Sequence, residues 1–347
     1  MSALRVLVLC PGRGSYLKED LGSLAGVVSP AVDRFEQLRR QAGRPSLREI
    51  DGAGRFDPNL HLRGEHASSL TAAISLADLE QISPDKAQVV GVCGNSMGWY
   101  TALGYAGALP MEDCARLIET MGAWQASDQH GVVGGQIVYP LVGEDWRMDP
   151  AARARVEQAV AEIPDLYWSI RLGGQAVLGG SEQALATAAQ RLPPIVQGSL
   201  SFPLRLPFHS AFHPPLLAAA AERAEAELSD LDWGAPRLPL VDGAGQLWRP
   251  RWADPAALAA WTLGPQVVEP FDFSLMLKVA LGELAPDAVV LPGPNSKLGG
   301  AVAQAMISLG WQGLRHKDDF VDRQRGPRPL LLAMRWPDQR RRLLAEA

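Results

Sequence analysis

The chain has 347 residues, 47% of them hydrophobic and 20% charged, with a formal net charge of −5. That length can bury a large core and fits one large domain with an insertion, or two domains, while the mildly acidic balance gives no electrostatic reason to expect nucleic acid or an anionic membrane as a partner. Cys10, Cys93 and Cys114 sit in apolar surroundings and leave one thiol over in any pairing. With an N-terminal apolar run (6–10) too short for a signal-peptide core and no run of membrane-spanning length, the expectation is a cytoplasmic protein.

Residues 4–10 form an aliphatic run interrupted only by Arg5, the pattern of a strand buried on both faces of a parallel sheet. It ends at Pro11-Gly12-Arg13-Gly14-Ser15, which lacks the third glycine of a dinucleotide loop and the Gly-Lys-Ser/Thr of a P-loop. Helical spacing follows over 31–41 and 66–82. A second strand-like run, 89–93, leads into Gly94-Asn95-Ser96-Met97-Gly98 and then a helical stretch, and Pro110 opens the next helix, with Leu117, Ile118 and Met121 on one side. Strand and helix alternate, as in a doubly wound α/β domain.

From about residue 131 the order becomes β-α-β-β-α-β: a strand at 136–139, a helix capped by Asp149-Pro150, two strands joined at Gly173-Gly174, a helix capped by Ser181, and a strand within 195–205. That is the order of a ferredoxin-like module. The expected organisation is a large α/β-hydrolase-like domain with a parallel sheet (1–129 and 204–320), an inserted ferredoxin-like subdomain (130–203) and a C-terminal tail (321–347). The tail is basic, with arginines at 323, 325, 328, 335, 340, 341 and 342, and it reads as a solvated terminal helix.

Gly-x-Ser-x-Gly between a strand and a helix holds its serine in a strained backbone conformation that only small neighbours tolerate. The Ser96 hydroxyl is thereby presented at the carboxyl end of the sheet, and the N–H of Met97 at the helix start is aimed where an oxyanion would form. Gly12 and Gly14 let a second main-chain donor approach. A serine nucleophile needs a base, usually histidine. Of His61, His66, His130, His209, His213 and His316, His209 stands out because it lies where the chain leaves the insertion, and such junctions line clefts. It reads equally as a structural histidine. His213, four residues on, raises a metal pair, but no carboxylate is near and Pro214-Pro215 breaks any helix there, so no metal site is expected.

With Pro-Gly-Arg-Gly-Ser at 11–15, Gly-Asn-Ser-Met-Gly at 94–98, Gly-Gly-Gln-Ala-Val-Leu-Gly-Gly at 173–180, Leu-Pro-Phe-His-Ser at 206–210 and Leu-Pro-Gly-Pro-Asn at 291–295, the chain resembles the malonyl-CoA:acyl-carrier-protein transacylases, which include acyltransferase domains of fatty-acid and polyketide synthases. The resemblance runs from about residue 5 to 314. It implies Ser96 as acylated nucleophile, His209 as its base, the carbonyl of Gln266 as the group orienting that base, and the N–H groups of Arg13 and Met97 as oxyanion hole. Met121, Trp99, Phe208, Asn95 and His66 would surround the acyl group. It further implies no bound cofactor, a coenzyme A thioester as substrate, and an acyl carrier protein with its phosphopantetheine arm as partner.

The sequence departs from the family pattern at several of these positions. Met121 stands where family members hold the malonyl carboxylate with arginine, which favours an uncharged acyl tail. Arg13 replaces a glutamine, Asn95 a histidine, Trp99 a glutamate and His66 a glutamine, while Ser169 and Arg171 stand in place of asparagines. Arg13 or Arg171 could supply a displaced carboxylate clamp. Three other readings stay open: a hydrolase clearing acyl groups from carrier proteins, a non-catalytic carrier-binding protein, and an ordinary α/β-hydrolase using His316.

Overall fold

The computed structural model describes residues 3–124 and 134–345; His130 lies outside them. Among the described residues, twelve strands form three sheets: β1 (Leu4–Cys10), β2 (Ala87–Gly94), β3 (Gly135–Pro140), β4 (Leu166–Leu172), β5 (Gln175–Gly180), β6 (Ile195–Gln197), β7 (Leu200–Phe202), β8 (Leu204–Leu206), β9 (Leu240–Val241), β10 (Leu247–Trp248), β11 (Ala288–Leu291) and β12 (Leu331–Ala333). The main sheet runs β10-β9-β2-β1-β11-β12 and is parallel except for β10.

The reason β1 is central can be read from its side chains. Val6, Val8 and Cys10 join one core cluster while Leu7 and Leu9 join the other, because successive side chains point to opposite faces. Helices Pro30–Gln41, Gly64–Leu79 and Met111–Trp124 contribute Phe35, Leu70 and Leu117 to the first cluster; Phe273–Leu284 and Leu298–Ser308 contribute Leu277 and Met306 to the second. Helices Gly64–Leu79 and Met111–Trp124 cross with backbones touching: a Cβ on Gly64 would lie 2.6 Å from the Gly122 carbonyl oxygen. No helix among the described residues is long and apolar enough to cross a membrane.

The small sheet runs β4-β5-β3-β8 with every neighbouring pair antiparallel, and helices Pro150–Glu162 and Glu182–Arg191 connect its strands in β-α-β-β-α-β order. Its last strand lies beyond the expected boundary at residue 203. The residues before it form a separate hairpin, β6-β7, and Pro203, which has no N–H to donate, separates that hairpin from β8. Phe271 pairs with the edge strand β4 of the small sheet: its N–H donates to Ser169 O (2.8 Å) and its carbonyl accepts from Arg171 N (2.9 Å).

The C-terminal segment is not a solvated tail. Leu330–Met334 is buried, β12 is the sixth strand of the main sheet, and Arg340 donates to Asp78 Oδ1 at 2.6 Å. The arginines made the segment look external, whereas an apolar stretch of five residues within it completes the sheet edge beside β11.

Candidate active site

Three tight turns leave the carboxyl edge of the parallel sheet side by side: Pro11–Ser15 after β1, Asn95–Met97 after β2, and Pro292–Asn295 after β11. Ser96 has φ 53°, and the turn leaves no room for side chains at its glycines. A Cβ on Gly94 would lie 2.1 Å from the Gly98 carbonyl, and one on Gly98 would lie 2.2 Å from Cys10 O. Both glycines are therefore steric requirements of the elbow. Met97 sits at the start of helix Gly98–Tyr105. The Pro11–Ser15 loop lies over Asn95, since a Cβ on Gly12 would lie 2.6 Å from Asn95 O and 3.1 Å from Asn95 Nδ2.

The Ser96 hydroxyl is 2.8 Å from Nε2 of His213, whose Nδ1 is 2.8 Å from the Gln266 carbonyl oxygen. A carbonyl only accepts, so Nδ1 carries the proton and Nε2 is left to accept from Ser96. His213 is 4% exposed, and burial, partly opposed by the bond to Gln266, lowers its pKa to about 4. The imidazole is therefore neutral near pH 7, as a general base must be. Gln266 is held in turn by its own side-chain amide, which donates to Ser96 O at 3.2 Å.

His209, the base expected from the resemblance, faces elsewhere. Its Nδ1 is 2.9 Å from Gln136 Oε1, and Gln136 Nε2 donates to Ser169 Oγ at 2.5 Å. The loop carrying both histidines has positive φ at Phe208 (58°) and His213 (67°), and these two left-handed residues turn the second imidazole, not the first, towards Ser96. His316 is also away from the serine: it caps helix Lys317–Arg325, with Asp319 N donating to its Nδ1 at 3.4 Å. The geometry thus gives no support to the alternative hydrolase order.

The residues expected around an acyl group are only partly brought together. Trp99 is wholly buried with its indole N–H donating to Thr262 Oγ1 (3.0 Å), and so belongs to the core beneath the elbow. His66 is turned into a buried network: Arg39 Nη2 donates to its Nδ1 at 2.9 Å, and Arg39 also pairs with Glu119 at 2.8 Å. Met121 is 3% exposed. Asn95 and Phe208 do stand at the site, Asn95 against Gly12 and Phe208 at the exposed rim.

Arg13 extends from its loop to donate to Phe208 O (2.6 Å), lies over the Phe212 ring at 5.4 Å, and places Nη1 2.8 Å from where a Cβ on Gly64 would be. Its guanidinium is therefore beside the Gly64/Gly122 crossing, next in sequence to Met121. Burial lowers its pKa to about 10, so it remains a cation. Arg171 lies farther out, stacked on Trp168 at 4.2 Å with Asp272 at 3.7 Å. Among the described residues no group of three or more His, Cys, Asp or Glu side chains is placed to hold a metal ion.

No protein-family model matches the chain. It is 30% identical over 237 residues to a probable mitochondrial malonyl-CoA-acyl carrier protein transacylase of Drosophila melanogaster, covering 62% of this chain and 57% of that protein. It is 28% identical over 234 residues to the malonyl CoA-acyl carrier protein transacylase of Escherichia coli K12, covering 67% and 72%. The crystal structure of malonyl-CoA:acyl carrier protein transacylase from Xanthomonas oryzae superposes with a TM-score of 0.72 at 19% identity over 98% of this chain and 97% of that one, a likeness of fold. By sequence the chain is similar to malonyl-CoA:acyl-carrier-protein transacylases. The matching region spans little more than half of the fly transacylase's own length. The histidine that meets the serine is His213 and not the expected His209, and the cation beside position 121 comes from the first loop.

Proposed function

We propose that the chain transfers an acyl group from a coenzyme A thioester to the phosphopantetheine thiol of an acyl carrier protein through an acyl-Ser96 intermediate. The hydrogen-bonded line Ser96–His213–Gln266 carries this reading. Ser96 Oγ attacks the thioester carbonyl carbon while its proton passes to His213 Nε2. The C–S bond then breaks and His213 returns the proton to the departing coenzyme A sulfur. The second half-reaction is the reverse, with the carrier thiol giving its proton to His213 as its sulfur attacks the acyl-serine. The Gln266 carbonyl holds the tautomer and favours the imidazolium that forms, the part a carboxylate plays in other triads. The backbone N–H groups of Met97 and Arg13 serve as donors to the tetrahedral oxyanion.

For the acyl group we propose malonyl. A neutral acyl tail suited Met121 alone, but the Arg13 guanidinium beside Gly64 and Gly122 supplies a cation from the facing loop. The test is intact-mass detection of acyl-Ser96 with malonyl-, methylmalonyl- and acetyl-CoA, with Ser96→Ala as the blank. Malonyl is expected to label fastest. Arg13→Gln, which keeps the backbone N–H, is expected to reduce the malonyl-to-acetyl rate ratio by about 10- to 100-fold, the scale of a charge-assisted hydrogen bond. An unchanged ratio removes Arg13 from acyl selection. Rapid release of free acid without carrier protein would replace transfer by hydrolysis.

A further inference from the structure

His209 is a second imidazole of fixed tautomer, and the proposed chemistry does not use it. Gln136 donates its amide N–H to Ser169 Oγ, so its carbonyl oxygen faces His209 and only Nδ1–H can meet it. Gln136 and Ser169 are 2% and 0% exposed, which makes this relay a rigid support. Gly179 lies between them without a side chain; a Cβ there would lie 3.4 Å from both Ser169 Cβ and Phe212 O, so the small sheet and the histidine loop meet closely at this point. The consequence is that Nε2 of His209 bears a lone pair.

That lone pair faces the first loop. Nε2 is 3.5 Å, and Cε1 3.7 Å, from where a Cβ on Gly14 would be, and Gly14 is an exposed residue of the loop that covers Asn95. Beside it Phe208 is 42% exposed, with its backbone carbonyl held by Arg13. An acceptor next to an exposed apolar ring, near a nucleophile that takes thioesters, suits a flexible chain in which amides alternate with methylenes. We propose that His209 Nε2 accepts a hydrogen bond from an amide N–H of the pantetheine arm common to coenzyme A and the carrier protein, with Phe208 packing on the arm's methylenes.

This assignment rests on the thioester reading of Ser96. The imidazole is neutral and free to accept at Nε2, because burial and the nearby charges of Arg13 and Arg205 lower its pKa to about 3. It differs in this role from His213, which must take and return a proton.

The experiment compares wild type, His209→Phe and His209→Gln, the last keeping an acceptor near the position of Nε2. Two quantities are read: the dissociation constant of coenzyme A, and the ratio of Ser96 acylation efficiencies for acetyl-CoA and for S-ethyl thioacetate, which has no amide. For His209→Phe the dissociation constant is expected to rise, and the ratio to fall, by about tenfold, the factor of one ordinary hydrogen bond. His209→Gln should recover most of both. An unchanged coenzyme A affinity overturns the assignment, as does a ratio that stays at the wild-type value because both efficiencies fall together, the result of a purely structural role. If wild-type Ser96 is never acylated and His209→Phe still weakens coenzyme A binding, the transferase reading fails and the pantetheine contact stands.

Discussion

His209 and His213 lie four residues apart on one loop and use their rings in opposite ways. Each has its Nδ1 proton anchored, His209 on a glutamine side chain and His213 on the Gln266 carbonyl, so each exposes Nε2 as an acceptor. What differs is what Nε2 faces. For His213 it is Ser96 Oγ at 2.8 Å, within the range required for proton transfer. Removing that acceptor leaves the elbow and its backbone donors in place, so His213→Ala is expected to slow Ser96 acylation by about 10²- to 10⁴-fold, the usual share of a general base, without abolishing substrate binding. Single-turnover acylation followed by intact mass measures this. A His213→Ala enzyme that acylates at the wild-type rate would remove the base from the mechanism.

At the scale of elements, local patterns reported what local chemistry determines. Residues 4–10, 89–93 and 289–291 were readable as buried parallel strands because each is a short aliphatic run stopped by glycine or proline, and the serine elbow was readable because its glycines are dictated by contacts within a few residues and with the adjacent strand. The base was not. Its choice depends on left-handed backbone at Phe208 and His213 and on packing across Gly179, none of which has a sequence period. One usable signal was present: His213 directly precedes Pro214-Pro215 and the turn entering helix Ala218–Glu227, so it sits on a firmly placed element. Strands β10 and β12, of two and three residues, are too short to show alternation, and the arginines around β12 obscured it further. Those arginines have work in the fold. Arg340 meets Asp78, whose other oxygen accepts from Gly293 N at 2.8 Å, so a single carboxylate fastens both the C-terminal segment and the turn after β11. Asp78 is 7% exposed, and Arg340→Ala would leave its charge with backbone partners only. The expected cost is about 1–3 kcal/mol, read as a lower urea midpoint at unchanged m-value. A change below about 0.5 kcal/mol, the ordinary range for surface substitutions, would mean that β12 pairing alone holds the segment.

Across the whole molecule, the active centre lies where the carboxyl edge of the main sheet meets the small module, and enclosing imidazoles there makes both stability and activity depend on pH in ways that can be separated. Burial holds His213 and His66 near pKa 4 and His209 near 3, against about 6.5 in an unfolded chain. Between those values the unfolded chain binds protons that the folded one does not. Stability is therefore complete above about pH 6.5 and is lost as the pH falls through this window, at about 1.4 kcal/mol per pH unit for each imidazole. Asp20 and Asp242 act in the other direction, because burial raises their pKa values and folding then gains as they are protonated. The net expectation from the three imidazoles, offset in part by the two carboxyl groups, is a molecule about 3–5 kcal/mol less stable at pH 5 than at pH 7, measured by urea denaturation. Acylation follows a different curve, because it needs His213 neutral only in the folded protein. Its rate should stay level from pH 7 to about pH 5 and fall only as His213 titrates near 4, provided the protein is still folded. The loss of stability therefore precedes the loss of chemistry on acidification. An acylation rate that instead halves near pH 6.5, with stability unchanged from pH 7 to pH 5, would show that His213 titrates as a solvated imidazole and that the enclosed geometry around it is wrong.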